Sequence, residues 1–228
     1  MNFRSLLSAA VLAASAAGAV AAPITPTFDT FGTLAGATFG GSGIANDAVA
    51  ISRNGNVTIG LTAHQRYDSP AVANNGAGVF YAQAGVDNHP PSPSDPYALW
   101  NFAFYASGAT SYRLSYDFDP AADNDKSTHG WSTVLFSGQD SLNLGMNSLD
   151  PLVPIFVTPP VFDTFDPLAL GEYTFSLTAY GFFGRELATT AIKVVVGDAP
   201  SNDVPEPASL ALAGIALLGL AASRRRKA

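Results

Sequence analysis

The densest grouping of reactive side chains in this 228-residue chain is acidic: Asp117, Asp119, Asp123 and Asp125 fall within nine residues, with Asn124 among them. Hard cations such as Ca2+ take six to eight oxygen ligands at about 2.3–2.6 Å. Four carboxylates, Asn124 and backbone carbonyls can supply that number. The spacing is not that of an EF-hand, because the sixth position counted from Asp123 is Thr128 and the twelfth is Val134. The competing expectation is a solvated loop whose Asp side chains accept hydrogen bonds from their own backbone. A carboxylate pair such as Asp117 and Glu172 is also the minimum equipment of a glycosidase, whose acid and base stand about 5–9.5 Å apart with one pKa raised. Only Glu172 and Glu186 supply glutamate between residues 23 and 204, each among strand-forming neighbours.

Other chemistries find less support. The three histidines, His64, His89 and His129, are scattered, and no His-x-x-x-His or Gly-x-Ser-x-Gly pattern occurs; Gly40-Gly41-Ser42-Gly43 has the wrong spacing for a nucleophile elbow. With no cysteine there is no disulfide framework, thiolate metal site or cysteine nucleophile. Aromatic rings stack on sugar faces, and Tyr97, Trp100, Tyr105, Tyr112, Trp131 and Tyr180 are candidates for that role. However, Trp100, Phe102 and Phe104, like Tyr112, Leu114 and Tyr116, have the period-two spacing of a core-facing row. Trp131, beside His129 and Gly130 at a loop exit, is the ligand candidate that this argument leaves. Residues 23–204 carry a net charge of −11, which excludes a grip on nucleic acid or anionic lipid by counterion release.

The elements that must position these residues read as strands. Ala48–Arg53 and Asn56–Leu61 alternate on either side of Asn54-Gly55, which predicts a hairpin on a type I′ turn. Leu99–Tyr105 and Ser111–Phe118 are aromatic-rich and separated by Ser107-Gly108-Ala109. Gly171–Tyr180 alternates, Ala188–Val196 ends in a β-branched run, and Gly181–Arg185 joins them as a second hairpin. Tyr173, Phe175 and Leu177 should face the core, with Glu172, Thr174, Ser176 and Thr178 facing outward. Few helical patterns interrupt these runs, and the loops at 89–96, 119–130 and 150–160 are polar or proline-dense. The expectation is one all-β domain over 23–197, an antiparallel sandwich or jelly roll.

The two ends read as addresses. Residues 1–22 combine Arg4, an apolar stretch from Leu6 and Ala19-Val20-Ala21 before Ala22-Pro23, the form of a secretory signal peptide cleaved after Ala21 or Ala22. After a spacer at 198–204 comes a tail at 205–228, in which Val204-Pro205-Glu206-Pro207 precedes the uncharged run 208–222 and the cluster Arg224, Arg225, Arg226 and Lys227. The prolines stop a helix from extending upstream. As a helix the 15-residue run rises about 22 Å, against a hydrocarbon core of about 30 Å, so it spans only if Ser223 and snorkelling arginines extend it. The positive-inside rule then holds the basic cluster in the cytoplasm and the body of the protein outside.

Pro-Glu-Pro, a short apolar helix and a terminal arginine cluster, in that order, resemble the PEP-CTERM sorting tail of Gram-negative bacteria. The resemblance implies recognition by exosortase, a membrane transpeptidase-like protease of bacteria that make extracellular polysaccharide. It further implies passage through the secretion machinery, an inner-membrane intermediate, and a final place at the cell surface or outside the cell. Gln139–Gly145, Phe165-Asp166-Pro167 and Gly171–Tyr180 are similar to the closing region of many exported PEP-CTERM proteins, although Leu142 stands where those relatives commonly have an aromatic. Two functional expectations follow: a non-enzymatic surface or matrix protein associated with exopolysaccharide or biofilm, or a secreted hydrolase acting on such polymers.

Overall fold

In the computed structural model the described residues are 22–38, 44–67, 71–88, 96–149, 153, 155–162 and 164–197. They contain thirteen strands: β1 (Thr30–Gly32), β2 (Val49–Asn54), β3 (Val57–Gln65), β4 (Val79–Ala82), β5 (Val86–Asp87), β6 (Tyr97–Ala98) and β7 (Trp100–Ser107), then β8 (Ser111–Tyr116), β9 (Gly130–Val134), β10 (Gly138–Leu142), β11 (Val157–Thr158), β12 (Gly171–Tyr180) and β13 (Glu186–Val196). Five form one sheet in the order β1-β2-β3-β7-β10, and six form a second in the order β11-β9-β8-β12-β13-β4. Neighbours run antiparallel except β13 and β4, which are parallel. The expected all-β sandwich is thus the architecture, and β5 and β6 add a small ribbon.

The core lies between the sheets and is built by the period-two rows. Phe102 stacks on Phe175 at 4.3 Å between centroids, and Trp100 lies 5.7 Å from Tyr173. Leu61, Tyr112, Leu114, Tyr116, Leu177, Ile192 and Val194 complete a contiguous buried cluster. Each such side chain, fully removed from water, contributes roughly 1.5–3 kcal/mol. A second, smaller core was not visible in the alternation. Leu34, Ala37 and Ile44 fold over the outer face of the first sheet and bury Val49, Ile51 and Ala103. For this reason β3 is buried on both faces over most of its length.

Three local expectations change. Asn54 pairs with Val57, so the two-residue loop is Gly55-Asn56 rather than Asn54-Gly55. Gly55 alone has positive φ (59°), which is the type II′ requirement, not type I′. Thr174 is buried rather than outward, because His129 packs against it. The aromatic strands β7 and β8 lie in different sheets, and residues 108–110 carry the chain across. Gly108 is needed there: its φ is +84°, and an added Cβ would stand 2.2 Å from the Asn56 carbonyl oxygen.

Both glycines can be tested by denaturant unfolding of the full chain. At Gly55 an added Cβ meets nothing within 4 Å, so Gly55→Ala should cost only the left-handed backbone penalty of roughly 1–2 kcal/mol. Gly108→Ala must in addition displace backbone, and should therefore lower the midpoint clearly further. Equal losses would show that the crossing is not tightly packed.

Candidate functional site

The acidic loop leaves the C-terminal end of β8. Tyr116 pairs with Gly130, which brings the next residue, Asp117, beside His129, the residue that precedes β9. Asp117 Oδ2 lies 3.3 Å from His129 Nε2, with both side chains almost wholly buried. Oδ1 of Asp117 accepts from the Asp119 backbone N–H at 2.9 Å. Asp119 in turn accepts from Ala121 N–H, and Asp125 from Ser127 N–H, where it caps a short 3-10 turn over Lys126–Thr128. That Ser127 bond is the main reason the Asp125 carboxyl sits below the usual carboxylate pKa, against a smaller opposing effect of burial. Asp123, exposed and at φ 55°, reaches Lys193 Nζ at 3.5 Å. Among the described residues no group of three or more His, Asp or Glu is arranged to hold a metal ion. Of the four acids named for a Ca2+ site, Asp117, Asp119 and Asp125 each turn one carboxylate oxygen onto a backbone N–H, and Asp123 reaches Lys193.

The acid and base expected of a hydrolase are also engaged elsewhere. Asp117 is held by His129, and Glu172 Oε2 lies 2.5 Å from Lys193 Nζ. Burial works against the Lys193 ammonium, but the hydrogen bond and charge of Glu172, with Asp123 adding to them, hold its pKa above the ordinary lysine value. Thr174 Oγ1 is 3.4 Å from His129 Nε2, the same nitrogen that faces Asp117. A hydroxyl-imidazole-carboxylate relay uses the two ring nitrogens separately, and this trio does not.

Trp131 projects from β9, and the Arg113 guanidinium lies 4.5 Å from its ring centroid. Arg113 also approaches the Tyr180 ring at 5.9 Å. Tyr112 and Leu114 point into the core, so Arg113 between them points out. Trp131, Arg113 and Tyr180 thus form an aromatic and cationic strip on the outer face of the second sheet.

The most connected polar side chain lies outside the acidic and aromatic groups. Asn143, fully buried after β10, donates to the carbonyls of Ala98 and Trp100 and to Asn101 Oδ1. Its Oδ1 accepts from the N–H groups of Ala98 and Gly145. Asn101 donates to Ser141 Oγ at 2.8 Å, and Ser141 meets His64 Nε2 at 2.8 Å. The Gln65 carbonyl accepts from His64 Nδ1–H, so in the neutral ring Nε2 accepts the Ser141 hydroxyl proton. This network is the physical content of the Gln139–Gly145 pattern: Ser141 and Asn143 tie β10 to β7, β6 and β3. Beside it, Arg66 pairs with Asp87 at 3.1 Å and lies over the rings of Tyr97 and Tyr67.

These contacts make three measurable statements. Asn143→Leu should lower stability by several kcal/mol, because each buried group left without its partner costs about 1–3 kcal/mol. Adding Ca2+ should leave the thermal midpoint where chelator leaves it; a rise would mean that the acids regroup around the ion. Tyr173 has no partner for its hydroxyl, and burial, followed by the charges of Asp166, Asp117 and Asp119, pushes its pKa far up. A pKa raised by folding contributes stability that is complete below the unfolded value and lost as pH rises toward the folded one. Lys193→Met and Tyr173→Phe should each flatten the loss of stability above about pH 10, and Tyr173→Phe should cost little at neutral pH.

The candidates Val204, Pro205, Glu206, Pro207, Arg224, Arg225 and Arg226, and the helix expected over 208–222, lie outside the described residues. Among the described residues no helix is long and apolar enough to cross a membrane. The compact unit that holds the sandwich ends at Gly197. No curated protein and no solved structure matches the chain significantly. Residues 203–227 match the family model of the PEP-CTERM protein-sorting motif. The chain carries this motif behind a β-sandwich, and the motif marks it as an exported protein sorted by exosortase.

Proposed function

We propose that the protein is a non-enzymatic component of the cell surface or extracellular matrix, held at the inner membrane by its tail before exosortase processes it, and associated afterwards with extracellular polysaccharide. The observation that carries this reading is the sorting motif at 203–227, directly behind a domain whose compact unit ends at Gly197. The engagement of Asp117 by His129 and of Glu172 by Lys193 supports a binding role over a hydrolytic one. For the polysaccharide, the supporting feature is the strip of Trp131, Arg113 and Tyr180. It presents ring edges and faces for sugar stacking, and a guanidinium for acidic or hydroxyl groups.

Two experiments test the two halves. In a host with exosortase, Glu206→Ala should leave a membrane-bound precursor that retains Arg224–Lys227 by mass analysis; normal release would show that the motif is not read. Co-sedimentation with the extracellular polysaccharide of that host should fall severalfold for Trp131→Ala and Arg113→Ala. Retention by both variants at the wild-type level would remove the strip as the contact.

A further inference from the structure

The buried network around Asn143 has a direction, and the backbone fixes it at both ends. The N–H groups of Ala98 and Gly145 donate to Asn143 Oδ1, so its amide nitrogen faces Asn101. Asn143 donates to Asn101 Oδ1 at 2.8 Å, which turns Asn101 Nδ2 toward Ser141 Oγ, also at 2.8 Å. At the far end the Gln65 carbonyl accepts the His64 Nδ1–H at 2.7 Å. In the neutral ring Nε2 is then an acceptor, and it lies 2.8 Å from Ser141 Oγ. Ser141 thus accepts from Asn101 and directs its own proton to His64. Bonds aligned in one sense along such a chain polarise one another.

A serine becomes a nucleophile when a base sits on its hydroxyl and a third group fixes the tautomer of that base. His64 meets this requirement because its two ring nitrogens have separate partners, with a backbone carbonyl in place of the usual carboxylate. His129 does not, since its Nε2 faces both Thr174 and Asp117. Burial separates the roles further. His64 is 2% exposed, Asn101 7% and Asn143 0%. Ser141, by contrast, is half-buried on β10, the outermost strand of the first sheet. The residue of the network with a nucleophilic oxygen is therefore the one that reaches the surface, and its base lies shielded behind it.

We infer that Ser141 is an activated nucleophile and a site of covalent acylation, taking the acyl group from an ester. Its Oγ bonds to the ester carbonyl carbon and its proton passes to His64 Nε2. As the C–O bond of the ester breaks, the leaving oxygen takes that proton. The chain ends as a serine ester, an alcohol departs, and nothing is oxidised or reduced. The Ser141 N–H is held by Asp140 Oδ1 at 2.8 Å, so it is not offered to the oxyanion. The step therefore needs a donor whose leaving group is a weak base, such as an aryl ester. Hydrolysis of the product would require water at the same shielded imidazole, so the ester persists. The inference goes beyond the surface-protein reading and does not rest on it, because a single acyl transfer onto the chain requires no turnover.

The test treats the full-length chain with p-nitrophenyl acetate and locates acetylated serines by peptide mass analysis. Ser141 should react about 10²-fold faster than the exposed Ser137 and Ser148, the least that a positioned general base supplies. In urea, where the chain is unfolded, that preference should vanish. His64→Gln keeps an amide for Ser141 Oγ but removes the base, so the folded variant should lose about 10²-fold in the Ser141 rate. The comparison of native and unfolded wild type decides the matter even if that variant does not fold. Ser141 reacting no faster than Ser137 and Ser148, a preference that survives in urea, or a folded His64→Gln chain acetylated at the wild-type rate would each overturn the inference.

Discussion

A β-sandwich leaves backbone groups bare along its outermost strands, and each one shielded from water without a partner costs free energy. In this protein the constraint is sharpest at β13, because β4 covers only its C-terminal half, pairing from Lys193 to Val196. The other half is closed by the facing sheet. Ser52 Oγ donates to the Thr189 carbonyl and Asn54 Nδ2 to that of Leu187, while Thr190 Oγ1 donates to the Ala50 carbonyl. Thr27 exchanges both backbone bonds with Ala191 before its strand moves on to β2. Hydroxyls and an amide thereby replace the missing ladder and fix how the two sheets meet at that edge.

Asn143 solves a related problem at the other end of the first sheet. The step from β6 to β7 leaves Ala98 and Trp100 with carbonyls that the ladder does not use, and one buried amide satisfies them together. Gly145 must be glycine for this to work, since an added Cβ would lie 2.3 Å from the Pro96 carbonyl oxygen. The cost of such a network is its sensitivity: a fully satisfied buried amide rigidifies the fold, and a half-satisfied one is worse than an apolar side chain.

With the sheets fixed in this way, chemistry is distributed by end and by face. The acidic loops, the Arg66–Asp87 pair and the Lys193–Glu172 pair sit where β12 begins and β3 finishes. Leu135, Phe136, Phe182 and Phe183 are exposed where the chain turns at the other end, while Phe162, Leu168 and Leu170 are exposed at the acidic one. The outer face of the second sheet holds the arginine between two aromatic rings. Three different surfaces thus follow from one topology.

The strands, the inward rows and the sorting tail were legible in the sequence because each depends on local order. Period-two alternation decides which side of a strand is apolar, and a linear motif such as Pro205-Glu206-Pro207 with its arginines is read as a string. What depends on which strands become neighbours was not legible. Asp117 meets His129 only because Tyr116 pairs with Gly130. Thr174 looked outward by alternation and is buried because His129, just ahead of β9, packs against it. The loop over Val49 and Ile51 and the role of Asn143 have the same cause: contacts between residues far apart in the chain are set by register and layer packing, on which local pattern is silent.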